Sequence, residues 1–408
     1  MLPDEGFPQA AQEPIYINTH EPFCFAAVGV QGAGKSHTLA CMLENCLLSF
    51  PVEKVTRLNK PMTTLVLHYD QNTTSVCEAA GLLSPVPVLK GLSCSVPFTK
   101  AVALVSPTYY KQRKAFYGDH CTVRPLLFRW HTLTADHIKR IMRIGAKDNQ
   151  LYVASCMDLL RKYQRRAIVP EFVDFIEEIK TACNIKGQEG PLTQRIALLE
   201  SVVAESELNQ DIAEDSLDLA DACKNGLNLI IADLTDPLLS RDEVNGLFQV
   251  MTEQFRSIPT QGGKLLALDE AHKFMDGVST DGLSEALVDV ARLMRHDGMR
   301  LVVSTQSPKA LAPELLELVS VAVLHQFHSH DWWTYMKRKL PLPDNAWSKV
   351  LSLRSGNAMV FSSRHSLQSV STAENHDEDE SSSLTATLLK LRIRPRLTVD
   401  YGSSRTNN

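Results

Sequence analysis

The sequence predicts an α/β fold with a mainly parallel central sheet, split by an all-helical insertion. Three observations carry this. Several short runs, such as residues 23–28 and 264–268, are apolar at nearly every position. Strands of that kind are covered on both faces, as parallel strands are. The runs alternate with segments of helical periodicity. Between residues 134 and 221 the alternation stops, and helical spacing continues with no strand pattern.

Residues 1–20 hold Pro, Asp and Glu without an apolar stretch and read as a flexible segment. The first part of the core, 21–133, opens with the strand 23–28. A glycine-rich turn follows, then a helix over 38–50 ended by Pro51. Further strands are expected at 63–68, at 101–105 before Ser106-Pro107, and at 125–130. In the insertion, 134–221, Phe172, Phe175, Ile176 and Ile179 repeat at helical spacing, as do Leu192, Ile196, Leu199 and Val203. The second core part, 222–370, has strands at 227–232, 264–268 and 300–304. It also has a helix at 241–256 and another with Leu283, Leu287, Val290 and Met294 on one face. A strand at 357–361 follows. The acidic, serine-rich segment 371–385 reads as a disordered loop. Residues 386–401 carry a terminal strand, and 402–408 form a loose tail.

Composition narrows the class. Net charge is −5 and the isoelectric point about 6.2, so nucleic acid held by bulk charge is disfavoured and any contact must use local patches. No apolar run reaches the length of a membrane span, and residues 1–19 lack the pattern of a secretory leader. The nine cysteines (24, 41, 46, 77, 94, 121, 156, 183 and 223) form no Cys-x-x-Cys pair. They read as free thiols of a soluble, intracellular protein of cytoplasm or nucleus.

The chemistry begins at Gly29-Val-Gln-Gly-Ala-Gly-Lys-Ser36, a full Walker A pattern between a strand and a helix. Gly29, Gln31, Gly32, Ala33 and Gly34 let backbone N–H groups wrap phosphate oxygens at a helix N-terminus. Lys35 can reach the β- and γ-phosphates, and the Ser36 hydroxyl can ligate Mg²⁺. His37 and Thr38 follow in the first turn, with Thr38 near the α-phosphate. The motif predicts ATP and Mg²⁺ as ligands. The apolar strand ending in Asp269-Glu270 supplies the second half. Asp269 suits Mg²⁺, and Glu270 is placed to take a proton from an attacking water; the alternative is that Asp269 caps the next helix. Gln306, ending the strand at 300–304, can sense the γ-phosphate or sit as a plain turn residue. Arg292 and Arg295 on the preceding helix can act as arginine fingers in a neighbour's site, or as solvated surface arginines.

Other groups are weaker. His325, His328 and His330 cluster near Asp331, as a metal site or as strand-end histidines that satisfy local hydrogen bonds. Trp332-Trp333 with Lys337-Arg338-Lys339 can stack and grip a nucleic-acid strand or pack inward. Arg161-Lys162 and Arg165-Arg166 make a basic patch or a solvated face.

The ordered set of Walker A loop, long helical insertion, Leu229–Asp233, the Asp269-Glu270 strand and Ser304-Thr-Gln-Ser-Pro308 resembles the HerA/FtsK superfamily of P-loop ATPases, in its VirB4- and VirD4-like branches. Arg295-His-Asp-Gly298 and the segment 353–361 are similar to elements found there. The resemblance spans about 21–401. It implies a RecA-like core of the additional-strand, catalytic-glutamate class, often a hexameric ring, driving DNA or protein movement. It implies Lys35 and Ser36 on phosphate and Mg²⁺, Asp269 on Mg²⁺, Glu270 activating water and Gln306 sensing the γ-phosphate. The sequence departs at His325-Gln-Phe327, where an arginine is often found, and has no room before Phe23 for a barrel domain. Two functions stand: a motor ATPase acting on DNA, or a slow ATP-dependent switch that binds proteins.

Overall fold

The structure, a computed structural model, describes residues 2–3, 15–48, 60–83, 101–118, 121–144, 151–182, 187–260, 262–277, 282–363 and 387–399. The acidic loop at 371–385, the tail and most of the first twenty residues lie outside this set.

The strands are β1 (Leu2–Pro3), β2 (Cys24–Val28), β3 (Thr63–His68), β4 (Ala101–Val105), β5 (Thr122–Pro125), β6 (Leu229–Asp233), β7 (Lys264–Leu268), β8 (Met299–Thr305), β9 (Val321–Leu324), β10 (Asn357–Ser362) and β11 (Thr387–Arg392). They form one sheet in the order β1-β11-β10-β9-β2-β8-β7-β3-β6-β4-β5. The stretch from β9 to β5 is parallel throughout. β10, β11 and β1 add antiparallel strands at one edge.

β2 shows why the strands read as apolar throughout. All five residues are buried. Cys24, Ala26 and Val28 face one apolar cluster, and Phe25 and Ala27 face another across the sheet. Helices cover both faces: α1 (Lys35–Leu47), α2 (Tyr110–Tyr117), α3 (Ala135–Ile141), α4 (Leu151–Arg166), α5 (Phe172–Ala182), α6 (Glu189–Glu200), α7 (Leu219–Lys224), α8 (Arg241–Ser257), α9 (Gly282–Asp297), α10 (Pro313–Glu317), α11 (His330–Lys337) and α12 (Ala346–Leu351). From 134 to 221 the described residues hold α3 to α7 and no strand. Trp130 anchors this stretch by packing edge-on against Phe172 and tilted against Phe175, and by donating from Nε1 to Pro170 O at 2.7 Å.

Three expectations change. The strand expected at 125–130 lies earlier, at Thr122–Pro125, because the ladder to β4 closes at Val105 and Pro125. Beyond it Phe128 makes one isolated bridge to Val203, and Trp130 opens a short 3₁₀ turn. The terminal strand ends at Arg392, and the chain then turns onto α1. β9, a four-residue strand, is an addition.

Lys264 ties β7 to the end of α8. Its buried ammonium donates to the carbonyls of Phe255, Arg256 and Ile258. These are carbonyls a helix end leaves without partners.

Candidate functional site

The carboxyl ends of four neighbouring parallel strands meet at one place. β9, β2, β8 and β7 lie in that order, and register sets Val28 beside Thr305 and Leu324, and Leu268 beside Val303. Such ends are where open α/β sheets bind ligands. β8 stands between the strand before the glycine loop and the strand before Asp269-Glu270. That arrangement sets Gln306 between the two motifs.

The loop after β2 has the backbone its glycines allow. Gly32 and Gly34 have φ of 75° and 107°, values costly for residues with a Cβ. Gly29 has a different need: a Cβ there would lie 2.6 Å from His325 Cβ. The loop is pinned to the end of β9 by Val30 N donating to Gln326 O at 3.0 Å. Gln31 is exposed, and Ala33 is buried. Lys35 is 3% exposed and donates to Val30 O at 3.0 Å. Ser36 is half-buried at the start of α1. His37 Nε2 lies 2.8 Å from Arg394 O. Thr38 is buried, with its hydroxyl 2.9 Å from His325 Nε2.

Asp269 and Glu270 follow β7. Asp269 is buried, and its Oδ1 has no hydrogen-bond partner among the described residues. Glu270 is a non-glycine residue at φ 51° and ψ 46°, a left-handed conformation that costs on the order of 1–3 kcal/mol and clusters at working sites. That turn aims its carboxylate into the centre. Oε1 lies 4.0 Å from Lys35 Nζ, and Oε2 accepts from Gln306 Nε2 at 3.1 Å. The structure therefore brings Lys35, Glu270 and Gln306 into one constellation beside Asp269.

Electrostatics follow from burial. Burial raises the Glu270 carboxyl above its ordinary range, Asp269 adds repulsion, and Lys35 and Lys273 oppose both. Burial lowers Lys35, against the pull of Glu270 and Asp269. A carboxylate poised upward suits a group that must accept a proton.

His272 belongs here too, though nothing in the sequence reading singled it out. Its Nδ1 lies 3.2 Å from Glu270 Oε2 and accepts from Gln306 N at 3.4 Å. Burial and the cations Lys273, Lys35 and Arg241 push it down to about 4, so it is neutral at pH 7. The available signal was its place two residues after Glu270. His325 was singled out for another reason. It is wholly buried beneath the glycine loop, while His328 and His330 are exposed. The three histidines do not converge.

The other candidates lie apart. Arg292 and Arg295 are exposed on α9, and Arg292 pairs with Glu314 at 3.0 Å. Trp333 is buried against Trp347, and Trp332 packs on Phe327, so the pair turns inward. Lys337 and Lys339 pair with Asp344 and Glu317. In the patch on α4, Arg161 and Lys162 pair with Asp158 and Glu178.

Fold and site together define an α/β RecA-like P-loop NTPase fold. Among solved structures, the chain is similar to the bacterial conjugative coupling protein TrwBΔN70, at 14% identity over 94% of this chain and 87% of that one, with a TM-score of 0.51. It also aligns with VirB4 of Thermoanaerobacter pseudethanolicus, at 12% identity over 91% and 89% of the two chains, with a TM-score of 0.48. The genome-packaging NTPase B204 of Sulfolobus turreted icosahedral virus 2 aligns over 43% of this chain and 70% of its own, at 15% identity and a TM-score of 0.28. The TrwB likeness bears on fold, and there the resemblance drawn from the motifs holds. No protein-family model matches the sequence, and a search of curated proteins finds no match. No helix among the described residues is long and apolar enough to cross a membrane.

Proposed function

We propose that this chain binds ATP with Mg²⁺, hydrolyses it, and couples hydrolysis to movement or remodelling of DNA. One observation carries the hydrolytic reading: Glu270 stands between Lys35 at 4.0 Å and Gln306 at 3.1 Å, at the mouth of a glycine loop. A loop that only bound nucleotide would need neither the carboxylate nor the left-handed turn that aims it.

The parts divide as follows. Backbone N–H groups of the glycine loop and the start of α1 hold the phosphates, Val30 N excepted because it donates to Gln326 O. Lys35 leaves Val30 O to meet the β- and γ-phosphates. Ser36 and Asp269 would hold Mg²⁺. Both offer oxygen, as a hard cation requires, and Asp269 Oδ1 is a buried oxygen without a partner among the described residues. Bound there, the ion neutralises phosphate charge. Glu270 takes the proton of the attacking water, and Gln306 holds the carboxylate in place and reports the γ-phosphate. His272, neutral, accepts from Gln306 N and so steadies the turn that carries Gln306.

The mechanical half rests on the likeness to the bacterial conjugative coupling protein. A hexameric ring, with Arg292 or Arg295 reaching a neighbour's site, is part of the same reading. ATP hydrolysis by the full chain, measured with and without single- and double-stranded DNA, tests it. The proposal expects clear stimulation by one of the two. A rate indifferent to DNA favours the protein-binding switch.

A further inference from the structure

A second set of side chains lies behind the catalytic carboxylates. His68 ends β3, Asp269 follows the neighbouring β7, and Cys77 closes the loop between β3 and the 3₁₀ turn Glu78–Leu83. The pairing that aligns Leu67 with Leu268 also brings Asp269 N to Leu67 O at 3.0 Å. One ligand atom from each of His68, Cys77 and Asp269 lies within 4.8 Å of the other two, and all three residues are buried. His68 is 2% exposed and Cys77 0%.

Two buried polar atoms here have no hydrogen-bond partner among the described residues, His68 Nε2 and Asp269 Oδ1. His68 Nδ1 has only the Asp269 carboxylate beside it. Nδ1 lies 3.4 Å from Asp269 Oδ2, within ion-pair reach. The charged neighbours are already engaged. Asp233 accepts from Arg113, Tyr117 and Thr235 N, and Lys273 pairs with Asp70 at 2.6 Å. Buried polar atoms left without partners are rare in native proteins, and an ion is one recognised reason for them.

We propose that His68, Cys77 and Asp269 form a site for a zinc-class divalent cation, and that its occupation restrains the ATPase. The donor set selects the cation. One sulfur, one imidazole nitrogen and one carboxylate oxygen suit Zn²⁺ or Co²⁺, whereas Mg²⁺ takes oxygen. Three protein ligands leave a fourth position for water. Tetrahedral bonds of about 2.0–2.3 Å place ligand atoms about 3.3–3.8 Å apart. The cluster, with ligand atoms within 4.8 Å of one another, therefore closes by no more than about 1.5 Å to receive the ion. As the sulfur–metal bond forms, the Cys77 thiol loses its proton to solvent. Regulation follows from the shared carboxylate, and this part rests on the proposed role of Asp269 in holding Mg²⁺.

The test uses the full chain titrated with Co²⁺, watching the near-ultraviolet charge-transfer absorption of a cobalt–thiolate bond. The proposal expects one equivalent to bind with that band, Zn²⁺ to displace it, and Cys77→Ser to abolish it while keeping the melting curve. Cys77→Ser should keep its Mg²⁺-ATPase rate but escape inhibition by one equivalent of Zn²⁺. His68→Gln should weaken Co²⁺ binding by about tenfold or more, at least what losing an outer-shell partner costs. No thiolate band, or a Cys77→Ser chain that binds Co²⁺ as wild type does, overturns the site and leaves His68 as a simple ion-pair partner of Asp269. A Cys77-dependent band in a chain that hydrolyses no ATP would uphold the site and refute the ATPase reading instead.

Discussion

Replacing Glu44 by alanine is predicted to loosen the carboxyl-terminal segment from the P-loop helix. Glu44 lies on α1 and is 0% exposed. Its Oε1 accepts from Leu397 N at 2.8 Å, Thr398 N at 2.9 Å and the Thr398 hydroxyl at 2.6 Å. Its Oε2 accepts from Arg394 at 2.7 Å, whose side chain is 15% exposed. Removing the carboxylate leaves two amides and the Thr398 hydroxyl without this acceptor, and a mostly buried guanidinium with only the neutral acceptors Pro395 O, Cys41 O and Asn45 Oδ1. An orphaned buried donor costs about 1–3 kcal/mol, and breaking a buried ion pair about 3–5 kcal/mol. The contributions share one acceptor and do not add, so the expected loss is about 3–5 kcal/mol. That is a large part of an ordinary stability of about 5–15 kcal/mol. Hydrogen exchange at Leu397 and Thr398 should quicken by about 10²–10⁴-fold, at 1.36 kcal/mol per decade. The urea midpoint should fall with it. Exchange at those amides unchanged, with the midpoint within about 0.5 kcal/mol of wild type, the range of neutral surface changes, would refute the reasoning.

Three further outcomes are expected. Gly34→Ala puts a Cβ at φ 107° and 3.4 Å from His325 Cε1, so ATP should no longer raise the melting temperature although the chain still folds. Gln306→Ala removes a neutral donor to a charged acceptor, worth about 1.5–3 kcal/mol. The turnover rate should then drop about ten- to hundredfold with ATP affinity little changed. Lys264→Met keeps the buried stem but deprives three carbonyls of their donor. It should cost about 2 kcal/mol in urea unfolding and leave the ATP affinity alone.

Sequence pattern reached the parts of this molecule where local chemistry is decisive. The glycine loop declares itself because only glycine takes the backbone of Gly34, and the strand Lys264–Leu268 because both its faces are covered. Asp269, Glu270 and Gln306, far apart in sequence from the glycine loop, follow β7 and β8, which lie beside β2 in the sheet. Other features depend on distant partners. Pro125 sits at the end of a strand that its own apolar run, 125–130, seemed to begin, because the ladder to β4 closes there. β9 is too short to show a period. Glu44, Arg113 and Asp233 read as surface charges in a sequence, yet each is 0% exposed and engaged by residues far along the chain. His68, Cys77 and Asp269 have no ligand spacing to notice, since two strands and a loop bring them together. Seven described cysteines are free thiols, as their scattered positions suggested, and Cys94 and Cys183 lie outside the described residues.

The central claim is that Glu270 is the base of an ATP-hydrolysing P-loop site. Single-turnover hydrolysis by Glu270→Gln, run beside ATP binding to the same variant, tests it most directly. Glutamine keeps the shape and the contact to Gln306 but cannot take a proton. The rate should fall by about 10²–10⁴-fold, or about 2.7–5.4 kcal/mol of barrier, while ATP still binds through the intact loop. A variant that binds ATP and hydrolyses it at the wild-type rate would contradict the account.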